Sequence, residues 1–218
     1  MTPYDVVMLD LDGTLIDSEA GVYTSVRYGL AGFGITPTDA QLEEFMGPPL
    51  ADVLPRVFRL TDPADIPLFF DRYCEAYFHV AEYEYEMYPG MRELVTDLSA
   101  AGVTLVLATA KPHESASRIL VHAGLAERFA FVAGSELDSS RQEKADVIAH
   151  AFDNIEADGT SHRIVMVGDR GLDIRAAREH DIDAIAVTWG YAPPGELEEC
   201  GATHLVADVA ELRALLLP

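Results

Sequence analysis

Short runs of consecutive apolar residues recur along the chain, and each is followed by polar or glycine-containing positions. The first run, Val6 to Leu9, is rich in β-forming residues and breaks at Asp10. Strands that are apolar at every position are typical of parallel sheets, in which both faces of the sheet are covered. The pattern therefore predicts buried parallel strands over residues 6–9, 103–108, 129–133, 164–167 and 184–187.

Helical patterns lie between these runs. Apolar residues over 91–98 are spaced for one helix face, and Gly102 follows as a stop. A second pattern covers 116–123, and Asp208 with Glu211 forms a capping pair that opens a last helix. Because strands and helices alternate, the predicted fold class is α/β, with a doubly wound parallel sheet as a Rossmann-like core.

The alternation is interrupted after the first strand. Residues 19–88 show helical patterns without a convincing strand, and this segment is rich in aromatic residues, which are more often helix-packing core than a binding face. The predicted organisation is a core of residues 1–18 and 87–218, with a helical cap inserted over residues 19–86. The aromatic residues are Phe69, Phe70, Tyr73, Tyr77, Phe78, Tyr83, Tyr85 and Tyr88.

The amino-acid composition limits the classes of binding partner that can be expected. The formal net charge of −22 repels nucleic acid and anionic membranes, so neither is an expected partner, and a small anionic substrate needs local positive charge. Lysine occurs only as Lys111 and Lys144, which singles both out. Cys74 and Cys200 are far apart, a spacing that predicts neither a disulfide framework nor a zinc site and favours the cytoplasm.

Polar clusters follow three of the predicted strands. They are Asp10 with Asp12, the segment 109–111, and Asp169 with Asp173. One such cluster alone is more often a structural turn or a helix cap. In an open α/β sheet, however, ligands bind at the carboxyl ends of the strands, so three clusters at these ends together predict a functional site.

The chemistry of this cluster favours a metal ion and phosphate. Two carboxylates ~4 Å apart repel by ~4 kcal/mol at a protein-surface dielectric, so a cation is needed. A few oxygen ligands suit Mg²⁺ better than zinc. A carboxylate can attack phosphorus, and a second carboxylate two residues further on can serve as acid and base. Thr109 can hold phosphate oxygens, and Lys144 can balance the negative charge.

Four ordered segments carry a resemblance to a known family. Residues 10–18, with the sequence Asp-Leu-Asp-Gly-Thr-Leu-Ile-Asp-Ser, look like the first motif of the haloacid dehalogenase superfamily. Thr109, Lys144 and the Gly168-Asp169-x-x-x-Asp173 segment resemble its second, third and fourth motifs, so the resemblance covers nearly the whole chain.

The resemblance implies specific roles. It implies Asp10 as nucleophile and Asp12 as general acid and base, with Lys144 as a further catalytic residue. It implies Mg²⁺ held by the Asp10 side chain, the Asp12 backbone carbonyl and Asp169, with Asp173 supporting the metal site. The inserted segment resembles the smaller type of helical cap found in this superfamily.

Within the superfamily the chain most resembles the phosphoglycolate phosphatase group. The resembling segments include residues 45–50, 88–90, 109–112 and 189–191. The residue after Thr109 is often Asn or Ser in this group and is Ala110 here, so only a backbone N–H of residue 110 can contact phosphate. Two roles are open for Lys111, namely contact with substrate or cover over the mouth of the site.

The residues present argue against several related chemistries and functions. Asp12 argues against a dehalogenase, and the absence of lysine between Asp10 and Tyr88 excludes a phosphonatase that uses a cap lysine. A sugar phosphomutase is less favoured because Pro48, not a basic residue, follows Gly47. A receiver-type module or a non-enzymatic regulatory relative is the remaining alternative.

The expected activity is therefore hydrolysis of a small phosphorylated metabolite. Phosphoglycolate, sugar phosphates and nucleoside 5′-monophosphates all remain open as substrates, because cap residues set specificity in this fold. The sequence leaves both a monomer and a dimer open.

Overall fold

The computed structural model divides the chain into two compact units. The first unit contains Met1–Asp17 and Met87–Pro218, and the second contains Ser18–Glu86. Residues 47–49 of the predicted cap motif 45–50 lie outside the part of the chain that the structure describes. The described residues are 2–46, 50–136, 140–155, 157 and 159–218.

A parallel six-stranded sheet forms the centre of the first unit. The spatial order of its strands is β5-β4-β1-β6-β7-β8, and strands β2 (Ile16–Asp17) and β3 (Glu86–Met87) form a separate pair. The prediction of a doubly wound parallel α/β sheet is confirmed. The six strands are β1 (Val6–Leu9), β4 (Thr104–Pro112), β5 (Phe131–Ser135), β6 (Ile164–Gly168), β7 (Asp183–Val187) and β8 (His204–Val206).

Strand β1 lies between two neighbours and is buried along its whole length. Val6 pairs in register with Thr104 of β4 on one side and with Ile164 of β6 on the other. All four of its residues are buried, which accounts for an apolar side chain at every position. The residue that follows, Asp10, therefore emerges at the middle of the carboxyl edge of the sheet.

Helices connect the strands of the first unit. The predicted apolar face of α5 is confirmed, since Met91, Leu94, Val95 and Leu98 are all buried. Asp208 caps the last helix by accepting a hydrogen bond of 2.9 Å from the N–H of Glu211, as predicted. The helices are α5 (Met91–Ala100), α6 (His113–His122), α7 (Lys144–Ile155), α8 (Gly171–Glu179), α9 (Glu196–Cys200) and α10 (Val209–Leu216).

Strand β4 is longer than predicted. The apolar pattern ends at Ala108, but the strand continues to Pro112 with a register shift against β5 between these two residues. The predicted loop 109–112 is thus an irregular extension of the strand. Its pairing with β5 resumes where Pro112 lies opposite Ser135.

The second unit has its own core of helices. Aromatic rings from Phe69 to Phe78 contact one another in sequence, and Phe45 and Phe58 stack at 5.6 Å. The interpretation of these aromatics as helix-packing residues is confirmed for this run. Tyr88 instead packs on Trp189 in the first unit. The α-helices in the described part of this unit are α1 (Glu19–Ala31), α2 (Asp39–Glu43), α3 (Leu50–Phe58) and α4 (Asp65–Tyr77).

None of the described helices combines the length and the apolar composition that crossing a lipid bilayer requires.

Candidate active site

The end of β1 holds the first candidate side chain in place. The backbone N–H of Asp10 donates to the carbonyl of Val167 at 2.9 Å, and the Asp10 carboxylate accepts the N–H of Leu11 at 2.7 Å. The side chain is buried, at 7% exposure. The sheet and the following turn therefore both fix the position of the Asp10 carboxylate.

Strand β6 and the start of α8 supply two further carboxylates. Asp169 and Asp173 are fully buried. Asp169 accepts the backbone N–H of Tyr191 at 2.7 Å, and Asp173 accepts the backbone N–H of Arg170 at 3.1 Å. Both side chains thus receive hydrogen bonds from the backbone, which help to fix their orientation.

Lys144, the first residue of α7, places its ammonium between these groups. Its Nζ lies 2.9 Å from Asp10 Oδ1 and 2.7 Å from Asp173 Oδ1. It also donates to the backbone carbonyl of Ala108 at 2.8 Å. Three acceptors for three N–H bonds satisfy the buried ammonium. Burial acts to lower the pKa of Lys144, but attraction to Asp10 and Asp173 outweighs burial and raises it.

Negative charge still exceeds positive charge in this cluster. One carboxylate oxygen from each of Asp10, Asp169 and Asp173 lies within 4.8 Å of the other two. Burial, followed by repulsion from Asp10 and Asp173, holds the pKa of Asp169 well above its usual value. Burial is also the main cause that raises the pKa of Asp173, even though Lys144 acts against it. A cation bound among these carboxylates would offset their mutual repulsion.

The donor set fits Mg²⁺. Every candidate ligand is an oxygen atom, and hard oxygen ligands are those that Mg²⁺ prefers. Asp12 Oδ1 is buried and has no hydrogen-bond partner among the residues that the structure describes, so one more oxygen near the cluster lacks a donor. Buried polar atoms without partners are rare and commonly mark an ion or water site.

Two glycines allow the backbone to approach Asp169 closely. A Cβ atom built on Gly13 would collide with the Asp169 carboxylate, and one on Gly190 would collide with Asp169 and the Gly13 carbonyl. Gly13 also has a left-handed φ of 76°, which disfavours any other residue. The Asp-x-Asp-Gly sequence pattern thus has a packing reason as well as a turn reason.

The segment 109–111 lies at the neighbouring strand end. Thr109 is buried, and its hydroxyl accepts the N–H of Lys111 at 3.2 Å, while Ala110 is exposed. The Lys111 ammonium lies 3.0 Å from Asp12 Oδ2, and its side chain is only 8% exposed. The sequence leaves two roles open for Lys111, contact with substrate or cover over the mouth of the site, and neither predicts this contact with Asp12.

The loop after β7 contributes residues whose roles were not predicted in detail. Trp189 donates its indole N–H to the carbonyl of Thr14 at 3.3 Å, and Tyr191 donates its hydroxyl to Asp17 at 2.7 Å. This loop was noted in the sequence only for its family resemblance. Its contacts link β7 to the turn after β1.

The structure brings four of the predicted site residues into one cluster and pairs two others with each other. Asp10, Asp173 and Lys144 contact directly, Asp169 joins them, and Asp12 and Lys111 form a second ion pair. Such an arrangement can hold a cation and present a carboxylate to an anionic group.

Comparison with known proteins gives the family. The family model described as "Haloacid dehalogenase-like hydrolase" matches residues 7–187. A 5′-nucleotidase from Pseudomonas aeruginosa is 36% identical over 98% of this chain and 96% of its own length. A phosphoglycolate phosphatase from Agrobacterium fabrum is 34% identical over 88% of this chain and 85% of its own.

Two further relatives extend the comparison. Tyrosine-protein kinase PtkA from Mycobacterium tuberculosis is 35% identical over 97% of this chain and 72% of its own length. The crystal structure of a predicted phosphatase from Clostridium acetobutylicum has 33% identity and a TM-score of 0.85, covering 97% of each chain. The resemblance stated from the sequence is confirmed. The chain is a phosphatase-type member of the haloacid dehalogenase-like hydrolase family.

Proposed function

We propose that the chain is a Mg²⁺-dependent phosphatase that hydrolyses a small-molecule phosphate monoester through an aspartyl-phosphate on Asp10. The observation that carries the proposal is the grouping of Asp10, Asp169 and Asp173 around the buried Lys144. This grouping combines a fixed carboxylate, a place for a cation and one compensating ammonium.

In the proposed reaction, a carboxylate oxygen of Asp10 attacks phosphorus while the bond between phosphorus and the substrate alcohol breaks. The carboxyl group of Asp12 gives its proton to the departing oxygen, so the alcohol leaves neutral. Asp12 then takes a proton from a water molecule, which attacks phosphorus and breaks its bond to Asp10. The products are the alcohol and inorganic phosphate, and both carboxyl groups return to their starting states.

Other residues hold the reacting groups. Asp10, the backbone carbonyl of Asp12 and Asp169 would hold Mg²⁺, with Asp173 in support. When bound, the ion offsets the charge of the phosphate and of the surrounding carboxylates. The Thr109 hydroxyl and the Ala110 N–H are the proposed contacts to phosphate oxygens, together with Lys111.

The substrate class follows from charge and from the relatives. The net charge of −22 argues against nucleic acid and anionic membranes as partners. Relatives named 5′-nucleotidase and phosphoglycolate phosphatase support a small phosphorylated metabolite. A cytoplasmic location belongs to the same proposal, because the two cysteines are few and far apart.

The test is phosphate release from a panel containing phosphoglycolate, sugar phosphates and nucleoside 5′-monophosphates. We expect Mg²⁺-dependent release by the wild type, its loss in EDTA, and no release by Asp10→Asn. Borohydride reduction of protein quenched during turnover should convert Asp10, and not Asp12, to homoserine. Conversion of a sugar phosphate to its isomer without phosphate release would instead identify a phosphomutase. Absence of both turnover and reducible Asp10 would favour a regulatory protein.

A further inference from the structure

Glu196, the first residue of α9, contacts Arg170 and Gly171, which lie between Asp169 and the first turn of α8 that carries Asp173. Its carboxylate accepts hydrogen bonds from Arg170 Nε at 2.9 Å and from Arg170 Nη2 at 3.3 Å. It also accepts the backbone N–H of Gly171 at 2.6 Å. One carboxylate thus binds both the side chain of residue 170 and the backbone of residue 171.

Close packing keeps α9 in this position. Leu197 and Cys200 are buried, which anchors the short helix on the first unit. A Cβ atom on Gly171 would come within 2.6 Å of Cys200 Sγ and 3.1 Å of Glu196 Cγ. Because no side chain fits between α8 and α9 at this point, the distance from Glu196 to the loop is set by direct contact.

The ion pair is partly shielded from water. The Arg170 and Glu196 side chains are 19% and 20% exposed, and their two parallel N–H···O bonds have the bidentate geometry that favours Arg–carboxylate pairs. Burial acts to raise the pKa of Glu196, but hydrogen bonds from Arg170 and Gly171 outweigh it and lower that pKa. Glu196 is therefore charged at neutral pH.

The loop transmits this contact to the carboxylate cluster. Arg170 follows Asp169 directly, and its backbone N–H donates to Asp173 Oδ2 at 3.1 Å. The Asp173 N–H in turn donates to the Arg170 carbonyl at 3.0 Å. The backbone of Arg170 therefore sets the orientation of Asp173, while its side chain is held by Glu196.

We propose that Glu196 is a positioning residue for the cation site, which it organises by fixing Arg170 and Gly171 between Asp169 and Asp173. The inference rests on the proposed function, since it concerns the same Mg²⁺ site. Glu196 also forms an ion pair with the Arg170 guanidinium at 2.9 Å. Residues that support metal ligands from outside typically change metal affinity about 10–100-fold when they are replaced.

The experiment compares Glu196→Gln with Glu199→Gln. The first variant keeps an oxygen for the Gly171 N–H but loses the charge that holds Arg170. The second removes an equal charge from an exposed position of the same helix. Mg²⁺ binding to protein without substrate is measured by calorimetry, and kcat and KM are measured across Mg²⁺ concentrations. Glu196→Ala, which also leaves the Gly171 N–H without its acceptor, extends the series.

We expect Glu196→Gln to weaken Mg²⁺ binding about 10-fold, at the low end for supporting residues, because it acts through Arg170. The substrate KM should stay unchanged, and saturating Mg²⁺ should restore kcat. Glu196→Ala should bind Mg²⁺ more weakly still, and Glu199→Gln should bind Mg²⁺ as tightly as the wild type. Restoration of kcat by saturating Mg²⁺ distinguishes a positioning role from a general loss of folding. Urea unfolding in EDTA measures the stability of each variant directly.

Two results would overturn this role. One is a Mg²⁺ dissociation constant of Glu196→Gln equal to that of Glu199→Gln. The other is a reduced kcat that saturating Mg²⁺ does not restore. If the wild type itself neither binds Mg²⁺ nor releases phosphate, the proposed function fails, and the role of Glu196 fails with it.

Discussion

Replacement of Lys144 by methionine tests the electrostatics of the buried cluster. The change keeps an unbranched apolar stem and removes the ammonium that lies 2.9 Å from Asp10 and 2.7 Å from Asp173. When EDTA has removed metal ions from the protein, the Asp10 and Asp173 carboxylates face each other, with Asp169 nearby, and no cation lies between them.

The structure gives the size of the effect by two routes. Removing one partner of a buried ion pair typically costs about 3–5 kcal/mol. Alternatively, the variant can protonate one carboxyl group, and protonation of a group with a pKa of ~3.9 costs about 4 kcal/mol at pH 7. Both routes predict that Lys144→Met lowers the free energy of unfolding by about 4 kcal/mol at pH 7.

The sign of the pH dependence follows from proton binding. The folded variant holds one more proton than the folded wild type, because the pKa of one carboxyl group rises further when the ammonium is absent. The stability of the variant relative to the wild type therefore increases as the pH falls. The gap between variant and wild type should therefore narrow by about 1.4 kcal/mol from pH 7 to pH 6. Saturating Mg²⁺ should also narrow the gap, because the ion supplies the missing positive charge.

Urea unfolding in EDTA, followed by the fluorescence of Trp189, measures this effect. Trp189 is the single tryptophan and lies in the first unit, so it reports on the unit that contains Lys144. Lys111→Met is the matched control: the Lys111 side chain is also buried, but its partner Asp12 is 29% exposed, so the remaining carboxylate reaches water and a smaller loss than for Lys144→Met is expected. A loss below about 1 kcal/mol for Lys144→Met, or a gap that does not change with pH, would refute the reasoning.

Two further changes probe the site. Lys111→Met should lower kcat up to about 100-fold, and not only raise KM, because Lys111 contacts Asp12. Steady-state kinetics measures both constants, with Lys111→Arg as the conservative variant. An effect confined to KM would contradict the prediction. Gly13→Ala should cost more than the ~1–2 kcal/mol of left-handed strain, because its Cβ meets Asp169. Gly102→Ala, equally left-handed but facing open space, gives the strain alone in urea unfolding; equal losses would remove the packing argument.

The sequence predicts the interior strands well because their environment is uniform. Every residue of β1 is buried on a covered sheet, so each position is apolar and the run is easily recognised. Strand β8 has two exposed residues and one buried residue, Val206, and it lies at the edge of the sheet. An edge strand this short carries no distinctive pattern, and it was not predicted.

The same contrast applies to the site. Asp10 and Asp169 could be predicted to converge because both follow buried strands that are neighbours in the sheet. The partners that orient the site could not. Asp169 is held by the backbone N–H of residue 191, which any amino acid except proline supplies. Glu196 and Arg170 lie 26 positions apart in the chain, and in the sequence each resembles an ordinary charged surface residue.

The central place of β1 has a consequence for the order of folding during synthesis. The strand is synthesised before both of its neighbours, which begin at Thr104 and Ile164, so its second edge remains uncovered until residues 164–168 have been made. Residues 18–86 are contiguous and can collapse much earlier. Late pairing of distant strands is slow and leaves apolar edges open to aggregation. The nascent chain should therefore depend on chaperones during the interval in which β1 waits for β6.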